Sequence, residues 1–198
     1  SLTFGGTLNC TTALLSFNLS ASTSFTVTAG SIFTITPQNT DIDWNIPAGN
    51  NQTWTNVTVN VPIEGDFTIN DATAITLAGS TVINASAKWT ALTDLTIDSG
   101  ASISANAKGC AGNIGGGNGR GPNGSNVCAG AGQGAGNAFN SGGGGGRGGA
   151  GGASIEVAGG GTYDSATAPV LFGASGGDDG SGAGGGAIRL NISGIFTN

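Results

Sequence analysis

Apolar and hydroxyl side chains alternate along short stretches of the N-terminal half. Phe25-Thr26-Val27-Thr28 and Phe33-Thr34-Ile35-Thr36 set the pattern, and Val57–Val61, Phe67–Ile69, Ile75–Leu77 and Leu95–Ile97 repeat it. A period of two fits strands with one buried face, and Thr, Val, Ile and Phe suit a pleated, half-buried surface. Gly, Asn, Asp and Pro stand between the stretches, where turns need them. No segment carries a helical period with caps. The pattern predicts an all-β chain with essentially no helix.

A loose repeat runs through these stretches. Phe25–Ser31 (FTVTAGS) resembles Leu95–Ala101 (LTIDSGA), and Ile75–Ser80 (ITLAGS) is one residue shorter. Later copies start at Ile155 and Ile188, and Trp54…Val57-Thr58-Val59 pairs loosely with Trp89…Leu92…Leu95. Gly79 and Gly100 lie 21 positions apart, about one rung of a β-solenoid. The other spacings are irregular, so the expected fold is β-solenoid-like or a β-sandwich. The same irregularity speaks against a flat threonine array of the kind that orders ice.

Residues 109–153 are a different material. Gly115–Gly121 (GGGNGRG) and Gly142–Gly146 hold little that fills a core, and glycine loses the most conformational entropy on ordering. Residues 173–186 are similar, with the apolar stretch 154–172 between. Strand-like sequence framed by glycine tracts suggests that the tracts pack as extended polyglycine and belong to the fold. The expected divisions are an apolar segment 1–20, strand repeats 21–108, a glycine-rich insertion 109–153 and a glycine-interrupted closing β segment 154–198.

Leu95–Gly109 (LTIDSGASISANAKG) leads into the insertion and Gly184–Asn198 (GGGAIRLNISGIFTN) closes it. In these segments the chain resembles the glycine-rich β-solenoid surface and extracellular fibre proteins of microbes. The resemblance implies a cell-surface or matrix location and no enzymatic role.

Charge narrows the function classes. The net charge is −6, and the basic residues Lys88, Lys108, Arg120, Arg147 and Arg189 are scattered, whereas nucleic-acid binding needs clustered Lys and Arg. No apolar run reaches the roughly 18–20 residues of a membrane span. No signal peptide is visible at Ser1, so the chain reads as already processed and secreted. With no His in the chain, a Ser or Cys nucleophile lacks its usual base. Asn39-Thr40-Asp41 and Gly177-Asp178-Asp179 resemble the acidic motifs of polygalacturonases, but those enzymes also need a Gly-His-Gly motif. Asp41/Asp43, Glu64/Asp66 and Asp178/Asp179 read as solvated turn acids. No catalytic residue, cofactor or metal site is expected.

Cys110 and Cys128 bracket a core-poor stretch, and a disulfide between them ties its ends; Cys10 is left over. Sequons begin at Asn9, Asn18, Asn51, Asn56, Asn84, Asn123 and Asn191, and Asn51, Asn56, Asn84 and Asn191 are the expected glycan acceptors. The expected function is a self-assembling subunit of an extracellular fibre, pilus-like filament or surface coat, with copies of itself as partner. Leu14, Leu15, Phe17 and Leu19 are candidate anchors for strand addition onto a neighbour. The alternative is an adhesin or tail-fibre module binding glycans through Trp44, Trp54, Trp89 and Tyr163.

Overall fold

A computed structural model describes residues 2–4, 7–10, 14–18, 25–27, 32–35, 41–45, 48–49, 51–70, 73–112, 117–123, 127–130, 135–136, 143–147, 149–155, 157–168, 170–177 and 181–198. The chain divides into two compact units, Ser1–Ser104 with Arg189–Asn198, and Ala105–Ile188. The expected closing segment 154–198 is therefore split, its last ten residues completing the first unit.

The first unit is a stack of rungs, each giving one strand to each of three faces. The first rung is β1 (Leu2–Phe4), β2 (Thr7–Cys10) and β3 (Leu14–Asn18). The second is β4 (Phe25–Val27), β5 (Ile32–Ile35) and β6 (Asp41–Asn45), and the third is β7 (Gln52–Thr55), β8 (Thr58–Asn60) and β9 (Asp66–Asn70). The fourth is β10 (Ile75–Ala78), β11 (Val82–Asn84) and β12 (Ser86–Leu92). The fifth begins with β13 (Leu95–Ile97) and β14 (Ser102–Ser104), then breaks for the second unit. The second unit contains β15 (Arg120–Pro122) and β16 (Cys128–Gly130), and β17 (Ile188–Ile192) then completes the fifth rung before β18 (Phe196–Thr197) starts another.

Sheet order runs β14-β11-β8-β5-β2 on the second face and β17-β12-β9-β6-β3 on the third; the first face holds β18-β13-β10-β7 and the pair β1-β4. The described strand pairs of this unit are all parallel. The sequence alternation becomes a side-chain alternation. In β6 and β9 buried and half-buried positions alternate along the whole strand.

Inward positions stack into one core. Trp44, Ile69 and Trp89 share one register position on the third face, and Ile42, Phe67 and Ala87 another. The Trp44 and Trp54 rings are 5.0 Å apart, and Phe67 stacks on Trp54 at 6.0 Å and meets Trp89 edge-on at 5.7 Å. Each such pair adds about 0.5–1.5 kcal/mol beyond its area burial.

The corner from first to second face is built by backbone. Asn56, Gly79 and Gly100 occupy it on the third, fourth and fifth rungs, with φ of 53°, 61° and 94°. A side chain at Gly79 would strike Asn56 Oδ1, which accepts the Ser80 N–H at 2.8 Å. Beside it Thr81 is fully buried. Its Oγ1 accepts the Val57 N–H at 3.2 Å and lies 2.8 Å from the Trp54 carbonyl oxygen and 2.7 Å from that of Ala78, able to donate to either.

The second unit is held by a different grammar. Extended segments bond in closed cycles of three. Gly184 donates to Cys110, Cys110 to Gly173 and Gly173 to Gly185, at 2.7–2.9 Å. Gly119 donates to Gly136, Gly136 to Ser175 and Ser175 to Arg120, at 2.7–3.1 Å. Gly144 donates to Gly152, Gly151 to Gly160 and Gly160 back to Gly144, at 2.8–2.9 Å. Segments approach so closely that a Cβ on Gly136 would sit on the Gly143 carbonyl oxygen, and one on Gly184 on that of Gly173. Where they are described, the glycine tracts thus pack backbone against backbone. Ile155 is not in a strand: Ser154 and Val157 close a turn that leaves it 94% exposed.

Candidate functional site

The expected disulfide is present. Cys110 and Cys128 are bonded with their Cα atoms 5.5 Å apart, closing 18 residues of separation, and they pack with Phe172. Arg120 Nη2 donates to the Cys128 carbonyl at 3.0 Å, and β15 pairs antiparallel with β16. A loop of this length contributes about 3 kcal/mol on the chain-entropy model. Cys10 lies in β2, in register with Ile35 of β5.

The candidate anchors fall differently from expectation. β3 carries Leu14, Leu15 and Phe17 in register with Asp41, Ile42 and Trp44 of the same chain, so the segment forms the first rung of its own stack. From Leu15 to Asn18 its alternating sequence matches that of β6 position by position, which is why it pairs locally. Leu19 lies outside the described residues. Among the described residues no strand pairs on the other edge of β1, β2 or β3.

The four expected glycan acceptors occupy three environments. Asn51 and Asn191 are exposed, and Asn51 Oδ1 accepts the Ala74 N–H at 3.2 Å. Asn56 is exposed at its corner with Oδ1 engaged by Ser80. Asn84 is half-buried in β11, and its Nδ2 donates to Asn60 Oδ1 at 2.9 Å, one rung away. Asn70 donates likewise to Asn45 at 3.0 Å on the third face. These asparagine ladders were not read from the sequence, because residues 24 or 25 positions apart become neighbours only once the register is known.

The aromatic residues named for glycan binding are mostly inside. Trp44, Trp54 and Trp89 are fully buried, since each stands at an inward position of its strand. Tyr163 is half-buried and donates its hydroxyl to the Phe172 carbonyl.

The acids also differ from expectation. Asp41, Asp43 and Asp66 lie in strands rather than turns. Asp41 Oδ1 accepts the Asp66 N–H at 2.8 Å, Asp43 Oδ1 accepts the Thr68 hydroxyl at 2.6 Å, and Lys88 pairs with Asp66. Glu64 is in a turn with φ of 65°, but buried rather than solvated. Asp178 and Asp179 lie outside the described residues. In the second unit Asp164 accepts N–H groups from Ser165, Val170 and Leu171 at 2.8–2.9 Å. Burial opposes its ionisation, but these bonds and Arg147 outweigh burial and hold its carboxyl below the usual range.

Threonines do fall into register. Thr53, Thr76, Thr96 and Thr197 follow one another on the first face, and Thr3 pairs with Thr26. Corners of unequal length absorb the irregular sequence spacing. No group of His, Cys, Asp and Glu among the described residues could hold a metal ion, and among them there is no helix long and apolar enough to cross a membrane. No protein-family model, curated protein or solved structure matches the chain.

Proposed function

We propose that this protein is a structural subunit of an extracellular fibre or surface coat, with its stacked rungs forming a stem that continues from one copy to the next. The observation that carries the reading is the parallel stack with one edge of β1, β2 and β3 unpaired by any described strand. Such an edge presents N–H and C=O groups that template a further strand, and a head-to-tail contact that does not close gives a filament. The register supports it. Leu8, Phe33, Val59, Ile83 and Ile103 follow one another on the second face, so another rung of this kind would meet a matching apolar position. The disulfide fits an oxidising, extracellular setting. Glycans on exposed sequons would keep a weakly charged surface from lateral association. The burial of all three tryptophans disfavours the glycan-binding alternative.

Sedimentation across a concentration series tests the reading. Growth into long species with rising concentration is the expected result. A single monomeric boundary at every concentration would overturn it.

A further inference from the structure

Asp66 opens β9, and Lys88 is the third residue of β12, one rung on. The register sets Asp66 against Ser86 and Lys88 against Thr68. The lysine side chain therefore reaches back along the strand, and its Nζ lies against Asp66 Oδ2. The two side chains are only 29% and 14% exposed. Asp66 Oδ1 is buried and has no hydrogen-bond partner among the described residues. Asp41 and Asp43 flank the pair from the preceding rung, one bonded to the Asp66 amide and the other to Thr68.

An exposed ion pair keeps both charges in water, but this carboxyl is largely withdrawn from it. Burial drives the Asp66 carboxyl above its usual range; Lys88 opposes the shift, and Asp41 and Asp43 add to it. Passing one proton from the ammonium to the carboxylate turns the ion pair into an amine and a carboxylic acid. Burial favours the neutral carboxyl side of that exchange. The two reacting groups are already in contact, so little further ordering is needed.

We propose that Lys88 and Asp66 condense into an intramolecular isopeptide bond that locks the third rung to the fourth. The Lys88 amine attacks Asp66 Cγ, and a new Nζ–Cγ bond forms. One Cγ–O bond breaks, and that oxygen leaves as water with the acid proton and one amine proton. The remaining amine hydrogen stays on the amide. Nothing is oxidised or reduced, and no co-reactant enters. The link closes 22 residues of chain, and it spans the direction along which a stem would be pulled.

Intact-mass spectrometry of the purified full chain, with Cys110–Cys128 reduced, tests this directly. The expected mass is one water below that of the sequence, with a Lys88–Asp66 linked peptide in the digest. Lys88→Arg keeps the charge but cannot make the amide, and Asp66→Ala removes the carboxyl; both variants should show the full mass. Native tryptophan fluorescence of Lys88→Arg separates loss of the bond from loss of the fold. Folded wild-type protein at full mass would overturn the proposal. So would a water loss that persists in Lys88→Arg or maps to other residues.

Discussion

Thr81→Val asks whether the stack depends on polar groups buried at its corners. Valine keeps the branched shape of threonine, so the fully buried site gains no cavity. What is lost is the hydroxyl that accepts the Val57 N–H at 3.2 Å and lies within reach of two carbonyls. A buried N–H left without an acceptor costs about 1–3 kcal/mol. For a chain of this size each kcal/mol moves the midpoint by about 2–4 °C, so the expected loss is about 2–12 °C. All three tryptophans lie in the first unit, so their fluorescence follows its unfolding alone. Thr76→Val, on an outward position of β10, is the control and should stay within about 0.5 kcal/mol of wild type. Equal stability of the two variants would refute the corner's role.

Three further outcomes follow from local geometry. Gly184→Ala forces a methyl onto the Gly173 carbonyl, so it should cost about 1–3 kcal/mol and speed hydrogen exchange at Cys110 and Gly173. Gly182→Ala faces open space and should change neither; matching behaviour of the two would contradict close packing. The Asp164 carboxyl is held below its usual range, so its contribution is full above the ordinary aspartate pKa and fades as pH drops through the depressed value. Protection of the Val170 and Leu171 amides, measured against intrinsic rates, should fall as pH drops below the ordinary aspartate pKa and through the depressed value, and unchanged protection there would contradict the assignment. On protein from its native source, peptide mass spectrometry should find glycans at exposed Asn51 or Asn191 and none at Asn84, whose Nδ2 serves the ladder to Asn60; glycan on Asn84 alone would reverse that order.

The strands were legible because their signal is local. Each alternating stretch named from the sequence lies in or overlaps a strand, and the FTV, ITL and LTI copies all fall on the first face. The disulfide was legible because glycine tracts leave few other ways to tie down residues 110–128. The copy at Ile155 was false, since three residues of strand pattern specify nothing without a rung to pair with. The tryptophan pair was also false: Trp54 is on the first face and Trp89 on the third. Contacts between rungs were not legible. Asp66–Lys88, Asn60–Asn84 and the corner around Thr81 join residues 22 to 27 apart, and corners of unequal length hide that spacing. For the same reason β3 looked like a strand seeking a partner elsewhere, when its partner is β6.

Oriented fibre diffraction from concentrated, aligned protein tests the central claim most directly. If copies join rung upon rung, strands run across the fibre and neighbouring rungs repeat along it. The pattern should then carry a strong meridional reflection at about 4.7–4.9 Å, the spacing between hydrogen-bonded strands. Discrete particles that never align, or fibres with this reflection on the equator, would contradict a stem built by stacking rungs.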